Sequence, residues 1–135
     1  MDGTTITAAV VGTGHLGRHH VRILSQLPGV RFLGAYDADP ARLQAVAGEH
    51  GVAALPNLQA AREADAVVVA TPTVNHRETA GLLLEAGCNV LVEKPIASSL
   101  AEADELLGLA AAHGTIAYVG FLDDDPYLLG QHIHD

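Results

Sequence analysis

A chain of 135 residues, 49% of them hydrophobic, carries enough apolar material for one full core without disulfide or metal staples. Its formal net charge of −9 excludes a basic footprint for nucleic acid or an anionic membrane surface. The charge is uneven: residues 1–120 hold twelve acids and seven bases, residues 121–135 four acids and no base.

After a polar start, residues 6–11 form an apolar run that predicts a first strand. It ends in Gly12-Thr13-Gly14-His15-Leu16-Gly17, glycines at the spacing G-x-G-x-x-G. Leu16, His20, Ile23, Leu24 and Leu27 then recur three or four apart, predicting a helix over 16–27 stopped by Pro28-Gly29. Strand, tight turn and helix in this order are the context of a dinucleotide-binding unit. Gly12 permits the turn, Gly14 lets backbone approach a pyrophosphate, and Gly17 lets helix and strand pack closely. Free N–H groups at the helix start then face the anion. His15 and His19 share a helix face, but no cysteine or carboxylate accompanies them at ligand spacing, and no metal site is predicted.

Residues 31–36 predict the second strand, closed by Asp37. A carboxylate at that place accepts hydrogen bonds from a ribose diol and repels a 2′-phosphate, which favours NAD over NADP. Ala38, with neither hydroxyl nor charge, points the same way, whereas Arg42 one helical turn later softens the preference. Asp39 reads as an N-cap with Pro40 at the first helical position, opening a helix over 41–50. A short third strand is predicted at 52–55, then a brief helix capped by Asn57. Residues 66–70 (AVVVA) read as a central strand buried on both faces. The loop Thr71-Pro72-Thr73-Val74-Asn75-His76 follows, then a helix over 75–86 ended by Gly87, with Cys88 as small core packing. A fifth strand at 89–92 runs into Glu93-Lys94-Pro95; a helix capped by Ser98 or Ser99 extends to Ala112, and residues 115–119 form a sixth strand. Right-handed crossovers then predict a single-domain α/β fold, a doubly wound parallel six-stranded sheet of order 3-2-1-4-5-6, over residues 1–120, with an acidic tail at 121–135.

Lone Cys88 excludes an intrachain disulfide and suits a reducing compartment. No apolar run reaches the roughly 18 residues of a membrane span, and no export leader is visible, so a cytoplasmic protein is expected. Lys94 is the only lysine, a placed charge rather than part of a solvated coat. Pro95 restricts its backbone, and Glu93 is positioned to pair with it. An ammonium in that position binds a hydroxyl or exchanges a proton with it; the plainer alternative is a structural ion pair.

Together, Val10-Val11-Gly12-Thr13-Gly14-His15-Leu16-Gly17, Ala70-Thr71-Pro72-Thr73-Val74-Asn75-His76 and Val92-Glu93-Lys94-Pro95-Ile96-Ala97 resemble the nucleotide-binding half of the Gfo/Idh/MocA (glucose-fructose oxidoreductase/inositol dehydrogenase) family. The likeness runs from residue 6 to about 120, and E-K-P in register with the glycine turn and the A-T-P loop makes it specific. Most members are NAD(P)-dependent oxidoreductases acting on hydroxyls of sugars, inositols and related compounds. The resemblance implies that Gly12, Gly14, His15, Leu16 and Gly17 hold the pyrophosphate and Asp37 the adenosine ribose. Thr71, Pro72 and His76 would line the path to the nicotinamide. Glu93 and Lys94 would sit beside the nicotinamide ribose, Lys94 also reaching substrate as the catalytic residue, with a cis Lys94–Pro95 bond.

Members of that family run to twice this length or more, with a second domain that supplies the substrate pocket and an Asp/His pair. Residues 121–135, with Asp123-Asp124-Asp125 and His132, His134 and Asp135, do not match the crossing into it. A tail with two histidines and an aspartate and no fold around it is not a metal site. The expectation is an NAD(H)-binding half that is catalytically incomplete as this chain, takes a sugar or polyol only when a second domain is supplied, and forms a homodimer through uncovered apolar surface. A stand-alone NAD(H)-binding or regulatory module without catalysis is the alternative. A methyltransferase-like domain binding S-adenosylmethionine shares the glycine turn and ribose acid but not the E-K-P loop.

Overall fold

The computed structural model describes residues 5–72, 75–93, 100–113 and 117–120. The element order is β1 (Ile6–Val11), α1 (His15–Leu24), β2 (Val30–Tyr36), α2 (Pro40–His50), a 3-10 helix (Leu58–Glu63), β3 (Ala66–Val69), α3 (His76–Glu85), β4 (Asn89–Glu93), α4 (Leu100–Ala112) and β5 (Ala117–Gly120). Among the described residues these strands make one parallel sheet of order β2-β1-β3-β4-β5.

Six strands are expected, and the sheet has five among the described residues; the third expected strand is the correction. Residues 52–55 lie on the expected side of β2 but form only one bridge, Ala35 to Ala54. Two hydrogen bonds hold it: Ala35 N–H to the Ala53 carbonyl at 3.0 Å and Leu55 N–H to the Ala35 carbonyl at 2.7 Å. The reason lies at both ends of the run. Val52 spends its N–H closing α2 on the Ala47 carbonyl at 3.0 Å, and Pro56 has none to continue the ladder. The first helix also ends three residues early, at Leu24, because Gln26 and Leu27 turn back to carbonyls three residues behind them.

Strand alternation sorts the core onto the two faces of the sheet. Ala9 and Val11 of β1, Val67 and Val69 of β3, and Val90 and Val92 of β4 pack with Leu83 and Leu84 of α3 and Leu106 of α4. On the opposite face Val10, Ala35 and Val68 meet Val21 of α1 and Leu43 and Val46 of α2. Helices cover both faces, as a doubly wound sheet requires. Cys88 is buried in the first group, its Sγ 3.5 Å from the Arg62 carbonyl; burial, and then the Asp65 charge, push the thiol up. No helix among the described residues is long and apolar enough to cross a membrane.

Parallel registry aligns the strand ends. Val11 pairs with Tyr36 on one side and Val69 on the other, and Val69 pairs with Val92. Gly12, Asp37, Ala70 and Glu93 therefore leave the sheet along one edge, where ligands of open α/β sheets bind.

Candidate functional site

The turn from β1 into α1 is built by close backbone approach. Gly12 has φ +99°, and a Cβ on it would lie 2.6 Å from the Ala70 carbonyl carbon and 2.8 Å from the Thr71 nitrogen. Only glycine lets β1 turn against the end of β3 in this way. Gly17, in the first turn of α1, packs directly on the Gly12 carbonyl, so helix and strand meet without a side chain between them. Gly14 is the N-cap of α1, extended, with no side-chain cap bond, and no acid stands in the helix's first turn. The nearest atom to a Cβ on Gly14 would be Arg42 Nη1, 4.0 Å away. Gly14 thus fronts open space with a helix start behind it, a setting suited to an anion.

Asp37, just beyond β2, is the hub of the second loop. Its Oδ2 accepts the Thr13 N–H and the Thr13 hydroxyl, both at 2.8 Å, and lies 3.2 Å from Arg42 Nε. Its Oδ1 accepts the Asp39 N–H at 2.8 Å. Burial would raise this carboxyl. The backbone N–H groups of Asp39 and Thr13, the Thr13 hydroxyl and the Arg42 charge outweigh it and hold Asp37 below the ordinary carboxylate range. Asp39 itself caps α2, accepting from the N–H groups of Ala41 and Arg42 at 3.1 and 3.3 Å.

In the third loop His76 is buried at the start of α3, and its Nε2–H donates to the Thr71 carbonyl at 2.8 Å. Thr71 leaves its Oγ1 buried and without a protein partner among the described residues. Asn75, the N-cap of α3, makes no side-chain cap bond and remains exposed.

These loops enclose one cavity of about 810 Å³, within the roughly 300–1,000 Å³ of small-molecule sites. Gly12, Gly14, His15 and Leu16 line it from the glycine turn. Asp37, Ala38 and Arg42 line a second side, and Thr71, Pro72 and Asn75 a third. A dinucleotide fits these groups: backbone N–H donors at an open glycine and helix start, a carboxylate acceptor at the wall, and a threonine hydroxyl in the third loop without a partner among the described residues. Gly17 lies beneath the turn rather than in the cavity wall, and His76 stands behind Thr71. Glu93 closes β4 on the same edge; its side chain, Lys94 and Pro95 lie outside the described residues, as do His132, His134 and Asp135. His15 and His19 do share a face, their rings perpendicular with centroids 5.2 Å apart. Among the described residues no three His, Cys, Asp or Glu side chains are grouped to hold a metal.

Sequence reasoning did not select Thr13 or Asn75 for the site. Thr13 sits at a position the glycine spacing leaves free, so nothing in the pattern marks its side chain. Arg42 stands one helical turn beyond Asp37 in the sequence, and that spacing is the visible sign of the ion pair.

The model of the Gfo/Idh/MocA oxidoreductase family, NAD-binding Rossmann fold, matches residues 6–121. The chain is 37% identical over 117 residues to UDP-N-acetylglucosamine 3-dehydrogenase of Acidithiobacillus ferrooxidans, covering 84% of this chain and 36% of that protein. Myo-inositol dehydrogenase Hyg17 of Streptomyces leeuwenhoekii is 40% identical over 119 residues, covering 86% of this chain and 36% of its own length. Among solved structures, GenD2 from gentamicin A biosynthesis, in complex with NAD, superposes with a TM-score of 0.80 at 33% identity, over 85% of this chain and 34% of that one. The chain thus spans about a third of the length of these curated relatives.

Proposed function

The chain belongs to the Gfo/Idh/MocA oxidoreductase family, and from that premise we propose that it is the NAD(H)-binding half of an oxidoreductase acting on sugar or polyol hydroxyls. The observation that carries the reading is the single cavity into which the glycine turn, Asp37 and the Thr71 loop converge. In it Gly12, Gly14, His15 and Leu16 receive the pyrophosphate, with Gly17 supporting the turn from below. Asp37 takes the adenosine ribose. Thr71 and Pro72 face the nicotinamide end, and His76 fixes the Thr71 backbone behind them. Glu93, the last residue of β4, and Lys94, next in the sequence, are assigned to the nicotinamide side, Lys94 acting on the substrate hydroxyl as proton partner. When bound, the nicotinamide supplies the hydride acceptor or donor. The protein's part is to orient that ring, hold charge at the pyrophosphate and place an ammonium beside the reacting hydroxyl.

NAD is the proposed cofactor, with NADP less favoured, because the Asp37 carboxylate stands ionised at the cavity wall. The names of the sugar-nucleotide and inositol dehydrogenases above support the substrate class. Turnover is assigned to the site completed by a second domain, since hydride transfer needs substrate held against the ring and shielded from water. Homodimerisation is proposed from the apolar side chains left exposed on and after α1, where Ile23 and Leu27 are 40% and 45% accessible. A cytoplasmic setting fits the buried, unpaired Cys88.

The test is calorimetric titration with NAD⁺ and, separately, NADP⁺. NAD⁺ is expected to bind in preference; absence of binding by either at millimolar concentration would overturn the reading. With a relative's C-terminal domain supplied, turnover of a polyol or nucleotide sugar is expected to appear. Lys94→Ala should then lower it by about 10²–10⁴-fold with little loss of cofactor affinity. Binding that stays without turnover when that domain is present would favour a module that reads NAD(H) without chemistry.

A further inference from the structure

The donors around Asp37 are unequally shared between its two oxygens. A carboxylate accepts about four hydrogen bonds, two on each oxygen. Oδ2 already faces three donors: the Thr13 N–H and hydroxyl at 2.8 Å each and Arg42 Nε at 3.2 Å. Oδ1 has one, the Asp39 N–H at 2.8 Å. The free acceptor capacity is therefore on Oδ1, and a vicinal diol cannot engage both oxygens without displacing a donor already in place. Two of the three donors on Oδ2 come from one residue. Thr13 is fully buried, and its hydroxyl is committed to Asp37.

We propose that Thr13 is a positioning residue for cofactor selection: by loading Oδ2 it determines that Asp37 offers Oδ1 to the ribose. The inference rests on the NAD-binding reading above and deepens it. Thr13 lies between Gly12 and Gly14, so the same residue that spans the pyrophosphate turn also sets the ribose acid. The glycine turn and the adenosine end of the cavity become one unit, tied across from β1 to β2. The charged groups around Asp37 are Arg42 of α2, its Nε 3.2 Å from Oδ2, and Asp39, whose N–H donates to Oδ1, with His15 of α1 lining the same cavity.

Thr13→Val keeps the shape and removes the hydroxyl; Thr13→Ser keeps the hydroxyl and removes a methyl. Both, with Thr13→Ala as a second hydroxyl-free variant, are titrated with NAD⁺ and NADP⁺ from neutral pH down into the carboxylate range. The Asp37 carboxyl is followed in the ligand-free protein by carbon NMR. Without the hydroxyl Oδ2 keeps the Thr13 N–H and only the longer, half-exposed Arg42 contact at 3.2 Å, so Thr13→Val and Thr13→Ala are expected to lose roughly tenfold in NAD⁺ affinity and to narrow the NAD⁺/NADP⁺ ratio. Their Asp37 should titrate higher, moving the acid limb of NAD⁺ binding upward. Thr13→Ser should keep the ratio and the limb even if it melts earlier, which a purely packing role would not produce. Folded Val and Ala variants with wild-type ratio and titration would overturn the proposal while leaving NAD binding intact. A wild-type protein that binds neither dinucleotide would overturn the functional reading itself, and this inference with it.

Discussion

Gly17→Ala is expected to destabilise the chain strongly, and far more than Gly14→Ala in the same turn. Gly17 is buried in the first turn of α1, and a Cβ on it would lie 2.7 Å from the Gly12 carbonyl carbon and closer still to its oxygen. The obstructing atoms are backbone, and that backbone is itself wedged against Ala70 and Thr71. No side chain can swing aside, so α1 must lift from β1. Lifting it exposes Val21, which is fully buried against the β1–β3 face. Overpacking of this kind costs about 3 kcal/mol or more when the neighbour cannot yield, a large part of a stability on the order of 5–15 kcal/mol. Urea unfolding should show the midpoint falling sharply. Gly14→Ala is the control, because its Cβ would meet nothing nearer than Arg42 Nη1 at 4.0 Å. That variant should lose no more than about 1 kcal/mol, the cost of alanine at a helix cap, while its methyl narrows the approach to the pyrophosphate and weakens NAD⁺ binding. Equal stability of the two variants would contradict the strand–helix contact.

The contrast between these glycines also marks what could be read from sequence. The G-x-G-x-x-G spacing placed turn, strand and helix correctly because close backbone approach leaves glycine as the only solution, and such constraints are visible in residue identity. Strand alternation was equally legible: residues 66–69 are apolar throughout because both faces of β3 are covered. Residues 52–55 misled because hydrophobicity reports burial, not the fate of N–H groups. Their burial is partial, and the donors a strand would need are spent on α2 or missing at Pro56. His76 shows a similar limit. A histidine on a ligand-side loop looks like a contact residue, whereas its ring is turned inward to a carbonyl. Thr13 was illegible because its role depends on Asp37, twenty-four positions away, and only the fold brings the two together.

Asp37→Ala is expected to abolish the preference for NAD⁺ over NADP⁺. In the native chain the carboxylate accepts from Thr13 and Asp39 and neutralises Arg42, whose guanidinium is half exposed on the cavity wall. Removing it withdraws the acceptor for the ribose and the charge that opposes a 2′-phosphate. It also frees the Arg42 guanidinium to meet that phosphate. NAD⁺ affinity should fall by about ten- to a hundredfold, the worth of hydrogen bonds to a charged group, while NADP⁺ affinity falls less or rises. Calorimetry with both dinucleotides measures this directly, and an unchanged ratio would remove Asp37 from the ribose site. Stability should change with it, since the buried Thr13 hydroxyl and N–H lose their acceptor, an unsatisfied pair costing about 1–3 kcal/mol per group. The sign of the pH dependence follows from the lowered Asp37 carboxyl. Its contribution is fully present above the unfolded value near 3.9 and is lost as pH falls through the lower, folded one. Wild type should therefore lose melting temperature in that acid window more steeply than Asp37→Ala, and the two curves should converge at its low end. Parallel curves across the window would show that the carboxylate does not hold the turn.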